Sequence, residues 1–123
     1  MIDRAVLDEL AHSIGDDAEF LRELVDAYLD DAPAQIASIR AGLAEGNVEL
    51  VNRAAHTLKS NSATVGALSL AQMCRELESM TQPASTDPAA LAGHDFAARA
   101  DGIAGEFERV KSDLNAIVPT GAA

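Results

Sequence analysis

One histidine of the three in the chain sits where its ring could do chemistry. His56 lies in the run AAHTLKSNSATVG, residues 54–66. A helix turns by about 100° per residue, which gathers Val51, Ala55, Leu58 and Ser62 into one inward arc and puts His56 roughly 150° from its centre, on the outer face. Ser60 falls one turn beyond His56, Ala63 nearly one turn further, and Lys59 at the flank. An ordinary exposed helix face carries Glu and Lys pairs; this run carries small side chains, one cation and no carboxylate. The chemistry that suits it is nucleophilic attack by imidazole on a phosphoryl group. Imidazole, with a reference pKa of about 6.5, supplies a neutral ring nitrogen at neutral pH. Ser60 and Ala63 leave room for another protein's active site to close over the ring. Lys59 can pair with phosphoryl oxygens, an attraction of about 1 to 4 kcal/mol per charge pair at about 4 Å, by local dielectric. A lone exposed histidine, or lysine, is also what a solvated helix face offers, and spacing alone leaves both readings open.

Charge is unevenly spread along the chain. Residues 50–75 contain no acid and three bases, Arg53, Lys59 and Arg75, whereas residues 1–49 carry twelve acids against three bases and residues 76–123 eight against three. An even spread would place about four acids in that window. The gap is either an accident of composition or the mark of a site that must accept an anion.

The elements that position His56 follow from periodicity. No alternating apolar pattern marks a strand, and helical patterns recur. Residues 3–13 form a short first helix with Asp3 as N-cap and Val6, Leu7 and Leu10 on one side. Gly15 and Asp16 break the chain. A long helix runs from Asp17 to about Glu45, with Leu21, Val25, Tyr28, Ala32, Ile36, Ile39 and Leu43 on one face. Pro33 inside it should kink the helix near Asp30 or split it. Gly46-Asn47 ends that run, and Asn47 can cap the next, over 48–65. After Gly66, residues 67–80 resume with Ala67, Leu70, Ala71, Cys74 and Leu77 inward. Residues 81–93 read as a loop in which Asp87-Pro88 can start one helical turn. The last helix spans about His94 to Val118, its seam of Phe96, Ala100, Ile103, Phe107, Val110, Leu114 and Ile117 stepping by fours and threes. Pro119 stops it. The expected fold is all-α: an antiparallel four-helix bundle with a short additional N-terminal helix, one domain over 1–118 and a flexible tail over 119–123.

Composition narrows the function classes. With 123 residues the chain is one domain in size, and a net charge of -11 disfavours phosphate backbones and anionic membrane surfaces. No apolar run is long enough to span a bilayer, and MIDRAVLDEL lacks the marks of a secretory signal. Met1 and the short tail favour a free-standing protein. The single Cys74 excludes an intramolecular disulfide and reads as a small core residue, so a reducing, cytoplasmic location is the default. His12 and His94 sit near helix ends as solvated or capping residues. Of the histidines, only His12 has a Glu three residues before it, Glu9, too little for a carboxylate-bridged metal site in a bundle.

Residues 54–78, AAHTLKSNSATVGALSLAQMCRELE, resemble the signature of the histidine-containing phosphotransfer (HPt) domains of two-component phosphorelays. The matching features are His56, an apolar Leu58, Lys59, a small Ser60, small Ser62 and Ala63, apolar Val65 and Gly66. The long preceding helix, including Asp31-Ala32-Pro33, is similar to the family's, and the resemblance covers about residues 7–80. It implies that His56 carries the phosphoryl group on Nε2 and that Lys59 binds or orients it. Ser60 stands where the family often has Gly and mildly narrows the space for the partner. With Ser60 and Ala63, Gly66 belongs to the docking region, allowing close helix packing or a bend after the active helix. Glu78 falls where the family often places Gln or Glu on the adjacent helix, and could accept a hydrogen bond from Nδ1–H of His56, leaving Nε2 free to attack. The resemblance further implies a phosphocarrier without independent catalytic activity, needing no cofactor or metal of its own. Its partners would be receiver domains, whose acidic site and Mg²⁺ do the catalysis, and a hybrid sensor histidine kinase, met by a monomer. Two other classes stay in view. One is the same bundle binding a receiver without phosphate turnover. The other is a helical adaptor that dimerises through the seam of its last helix.

Overall fold

The computed structural model describes residues 2–119, and those residues form helices and loops only. Helix α1 spans Arg4–Ser13, α2 Ala18–Glu45, α3 Val48–Thr64, α4 Leu68–Met80 and α5 His94–Ile117, with a short 3₁₀ turn at Pro88–Ala92 before α5. The tail expected to be flexible lies, beyond Pro119, outside the described residues.

Local chemistry sets most boundaries. The Asp3 carboxylate accepts from the amides of Ala5 and Val6, Asp17 caps α2 at Phe20 N, and Asn47 caps α3 at Leu50 N. Gly46 takes the left-handed conformation, φ 66°, that closes α2. Pro33 does not split α2, which continues to Glu45. Proline removes one amide and crowds the preceding turn, but α2 is held along its length by α3 and α5. Packing thus overrides the local penalty.

The helices α2, α3, α4 and α5 close a four-membered ring of neighbours: α3 lies between α2 and α4, and α5 completes the circuit. The two-residue link between α2 and α3 and the three-residue link between α3 and α4 make those neighbours antiparallel. The core is aliphatic, with Val25, Ile39, Val51, Leu58, Leu70, Leu77, Val110 and Leu114 almost fully buried. Tyr28 meets Phe107 edge-on, ring centroids 6.2 Å apart, and its hydroxyl shares a 2.8 Å hydrogen bond with the buried Ser62. The α5 seam is buried inside this one chain, Phe96 to Leu114, with Ile117 packed at its edge. The observation that raised a dimerising adaptor is thereby accounted for within the monomer.

Gly66 differs from the docking role expected of it. It is buried at the turn after α3, where Asp3 N donates to Gly66 O at 2.8 Å. Its φ is +84°, and an added Cβ would sit 2.6 Å from the Asp3 carbonyl oxygen. Gly66 therefore makes the bend after the active helix and lets the N-terminal segment, with Ile2 buried beside it, lie against that bend. Gly66→Ala is expected to cost about 1–3 kcal/mol through backbone strain and this clash, read as a lower urea midpoint at unchanged slope.

Candidate functional site

Helix α3 presents His56 outward as its period requires, the side chain 58% exposed. The residues that turn this into a site come from α4. Glu78 Oε2 lies 2.7 Å from Nδ1 of His56, and Glu78 Oε1 accepts from Lys59 Nζ at 2.5 Å. One carboxylate thus holds the imidazole and the ammonium together. His56, Lys59 and Glu78 are brought into one cluster, while Ser60 is exposed one turn beyond His56 and Ala63 is half-buried.

Glu78 is itself fixed. It stands in the last turn of α4, whose terminal carbonyls need partners. The Glu78 carbonyl accepts from Asn52 Nδ2 on α3 at 2.9 Å and from Gln82 Nε2 at 3.0 Å, and Thr81 Oγ1 closes on Leu77 O at 2.8 Å. Asn52 lies one turn before His56, so α3 holds both the backbone and the side chain of Glu78. Sequence reading missed Asn52; an Asn inside a helix, four residues before a candidate site, was the available signal.

Partial burial pushes the Glu78 carboxyl up, but hydrogen bonds from Lys59 and then His56, with the two positive charges behind them, outweigh it. The net result is a pKa below the ordinary 4.5. A depressed carboxylate stabilises the fold above its unfolded-state value and loses that contribution as pH falls through the folded one. Glu78→Gln is therefore expected to flatten the acid limb of the stability curve below about pH 4.5, measured by urea unfolding from pH 7 to 3.

With Nδ1 facing a carboxylate, the favoured neutral tautomer carries its proton on Nδ1, hydrogen-bonded to Glu78. The lone pair is then on Nε2, the nitrogen away from Glu78. The arrangement can attack an electrophile and support the imidazolium that results. The absence of acids from residues 50–75 does not leave His56 without a carboxylate. The acid-free stretch 50–75 is framed by Glu49 and Glu76; Glu78 reaches His56 from α4, and Glu49 lines the same cleft two turns before it on α3. A cleft of about 480 Å³ beside the ring is lined by Glu49, Asn52, Arg53, His56, Glu78 and Pro83.

Other candidates stay apart from this cluster. Burial pushes the Cys74 thiol up to about 12, with the Glu78 carboxylate adding to it, so Cys74 is an inert core residue. His12 lies 3.3 Å from Asp16 on α1's exposed end. Among the described residues no group of His, Cys, Asp and Glu side chains is placed to hold a metal ion.

Comparisons with known proteins bear on the family and the fold. The Hpt domain family matches residues 23–117. A crystal structure of histidine-containing phosphotransfer protein B (HptB) from Pseudomonas aeruginosa PAO1 superposes with a TM-score of 0.76 at 24% identity, covering 93% of this chain and 90% of that one. The HPT domain of a sensor hybrid histidine kinase from Shewanella superposes with a TM-score of 0.69 at 18% identity, covering 95% of each chain. At such identities these likenesses establish the fold alone. No curated protein matches the chain. The match to the family spans most of the sequence, including the helix that carries His56: the chain belongs to the Hpt domain family, the histidine phosphotransfer domains of two-component phosphorelays.

Proposed function

We propose that this protein is a phosphorelay intermediate that takes a phosphoryl group onto Nε2 of His56 from the aspartyl phosphate of one receiver domain and passes it to another. The observation that carries this reading is the 2.7 Å contact between Nδ1 of an exposed His56 and Glu78. In the forward step the Nε2 lone pair forms the P–N bond while the P–O bond to the donor aspartate breaks, and the carboxylate leaves with its electron pair. The ring keeps its Nδ1 proton and becomes an imidazolium, whose positive charge Glu78 balances. Reversal toward a second aspartate returns the ring to neutrality.

Lys59 holds Glu78 and supplies positive charge close to the ring. Ser60 and Ala63 keep the surface beyond His56 low for an incoming receiver. A largely apolar groove of about 310 Å³ between α1, α2 and α3, lined by residues that include Leu10, Leu24, Ala27 and Tyr28, offers further area for that contact. We assign the partners to receiver domains and a hybrid histidine kinase, and the protein to a monomeric, cytoplasmic carrier without turnover of its own, one domain through residue 118. No helix among the described residues is long and apolar enough to cross a membrane.

The test is phosphoryl transfer from a phosphorylated receiver domain. Acid-labile, base-stable label on the protein supports the carrier. Absence of label across a panel of receivers that still bind would instead favour a binding module without phosphate turnover.

A further inference from the structure

We infer that Arg53 is a phosphoryl-binding residue, held in reserve by Glu49 until His56 is phosphorylated; the inference rests on the carrier reading above. Lys59, the cation that motif and spacing single out, is already committed. Its ammonium lies 2.5 Å from Glu78 Oε1, on the Nδ1 side of the ring. The phosphoryl group forms on the other ring nitrogen.

Helix geometry says which residues lie beneath the ring. Side chains of an α-helix lean toward its N-terminus, over the preceding turn. For His56 that turn carries Asn52 and Arg53, and the next one Glu49. The cleft beside the ring brings the same residues together: Glu49, Asn52, Arg53 and His56 line it from α3, with Glu78 and Pro83 across from them and without Ser60 or Ala63. Glu49, Arg53, His56 and Ser60 follow one another at spacings of four, three and four, along a single face.

Arg53 is free to change partner. Its Nη2 lies 2.7 Å from Glu49 Oε1, and both side chains are 70% exposed. Such an exposed i,i+4 pair is weak, because water screens both charges. A phosphoryl dianion offers the guanidinium a stronger, bidentate partner. Glu49 then stands beside the phosphoryl group as an uncompensated negative charge. Arg53 and Glu49 therefore act on phosphohistidine with opposite signs: Arg53 stabilises the dianion and Glu49 destabilises it. Together they set how readily the group moves on to the next receiver.

The second ionisation of the phosphoryl group reads this out directly. The full chain is phosphorylated with phosphoramidate, a small donor that needs no partner docking, and the ³¹P resonance of phosphohistidine is titrated with pH. Arg53→Gln is expected to raise the apparent pKa of the phosphoryl group by about half a unit, a threefold change in the dianion's proton affinity. Arg53→Lys is expected to recover most of that shift, and Glu49→Gln to move the pKa down. Arg40→Gln, which removes an arginine paired with Asp101 on α5, controls for net charge. Equal shifts in the Arg53 and Arg40 variants would overturn the inference. A wild-type protein that takes label neither from phosphoramidate nor from a phosphorylated receiver domain would instead overturn the carrier reading, and the subsite with it.

Discussion

His56→Gln is expected to abolish phosphoryl acceptance while leaving the fold intact. The substitution removes the nucleophile, and loss of a nucleophile costs on the order of 10³-fold or more, here reducing label to background. The fold is expected to hold because the ring is mostly in solvent and its neighbours on the buried stripe, Ala55 and Leu58, are untouched. Surface changes of this kind stay within about 0.5 kcal/mol, and the glutamine amide can still meet Glu78. The measurement is transfer from a phosphorylated receiver, wild type beside variant, with urea unfolding of both as the folding control. Label on both proteins would move the nucleophile away from His56 and end the assignment. Label on the wild type alone would fix both the chemistry and the residue.

The part of this site written on α3 was legible because it obeys one helical period. The buried arc of Val51, Ala55, Leu58 and Ser62 and the outward His56 both follow from rotation by about 100° per residue. The helix limits were legible for a similar reason: Asp3 and Asn47 are local capping signals, and the structure uses both, while Asp17, read as the first residue of the long helix, is its cap. What sequence could not supply was contact between helices. Placing Glu78 next to His56 required the family resemblance, because 22 residues and a turn separate them. The acid-free window is a gap in sequence and not in space, since Glu78 of α4 meets His56 there.

Buried polar chemistry was equally hidden. Arg22 looks like a surface residue of α2, but its Nη1 donates to the Val118 carbonyl at 3.0 Å and its Nη2 to Asn115 at 2.9 Å, with Asp26 paired alongside. Its partners at the end of α5 lie more than ninety positions away, beyond any periodic pattern. The same limit explains Gly66. A glycine after an active helix reads equally as a bend or as room for a partner, and only the fold shows Asp3 occupying that room.

Glu78 is the residue whose removal should separate orientation from charge. Glu78→Ala takes away the acceptor for Nδ1–H, the counter-charge to the imidazolium and the partner of Lys59 together. An opposite charge at this range is worth about 1 to 4 kcal/mol in a partly solvated site, so the transfer rate is expected to fall by about 5- to 1000-fold. Glu78→Gln keeps an amide oxygen that can accept from Nδ1 but carries no charge. Its rate should fall between wild type and Glu78→Ala, by about tenfold if charge and orientation contribute alike. Rates alone would not exclude a merely structural role, so the ring itself must be observed. ¹⁵N shifts of the unphosphorylated histidine should report a proton on Nδ1 in the wild type and in Glu78→Gln. In Glu78→Ala the population should move toward the tautomer protonated on Nε2, which has no lone pair at the attacking position. A Glu78→Ala protein that transfers at the wild-type rate with an unchanged tautomer would show that Glu78 merely anchors Lys59. A shifted tautomer with a proportionate loss of rate would mean that α4 chooses which nitrogen of His56 attacks.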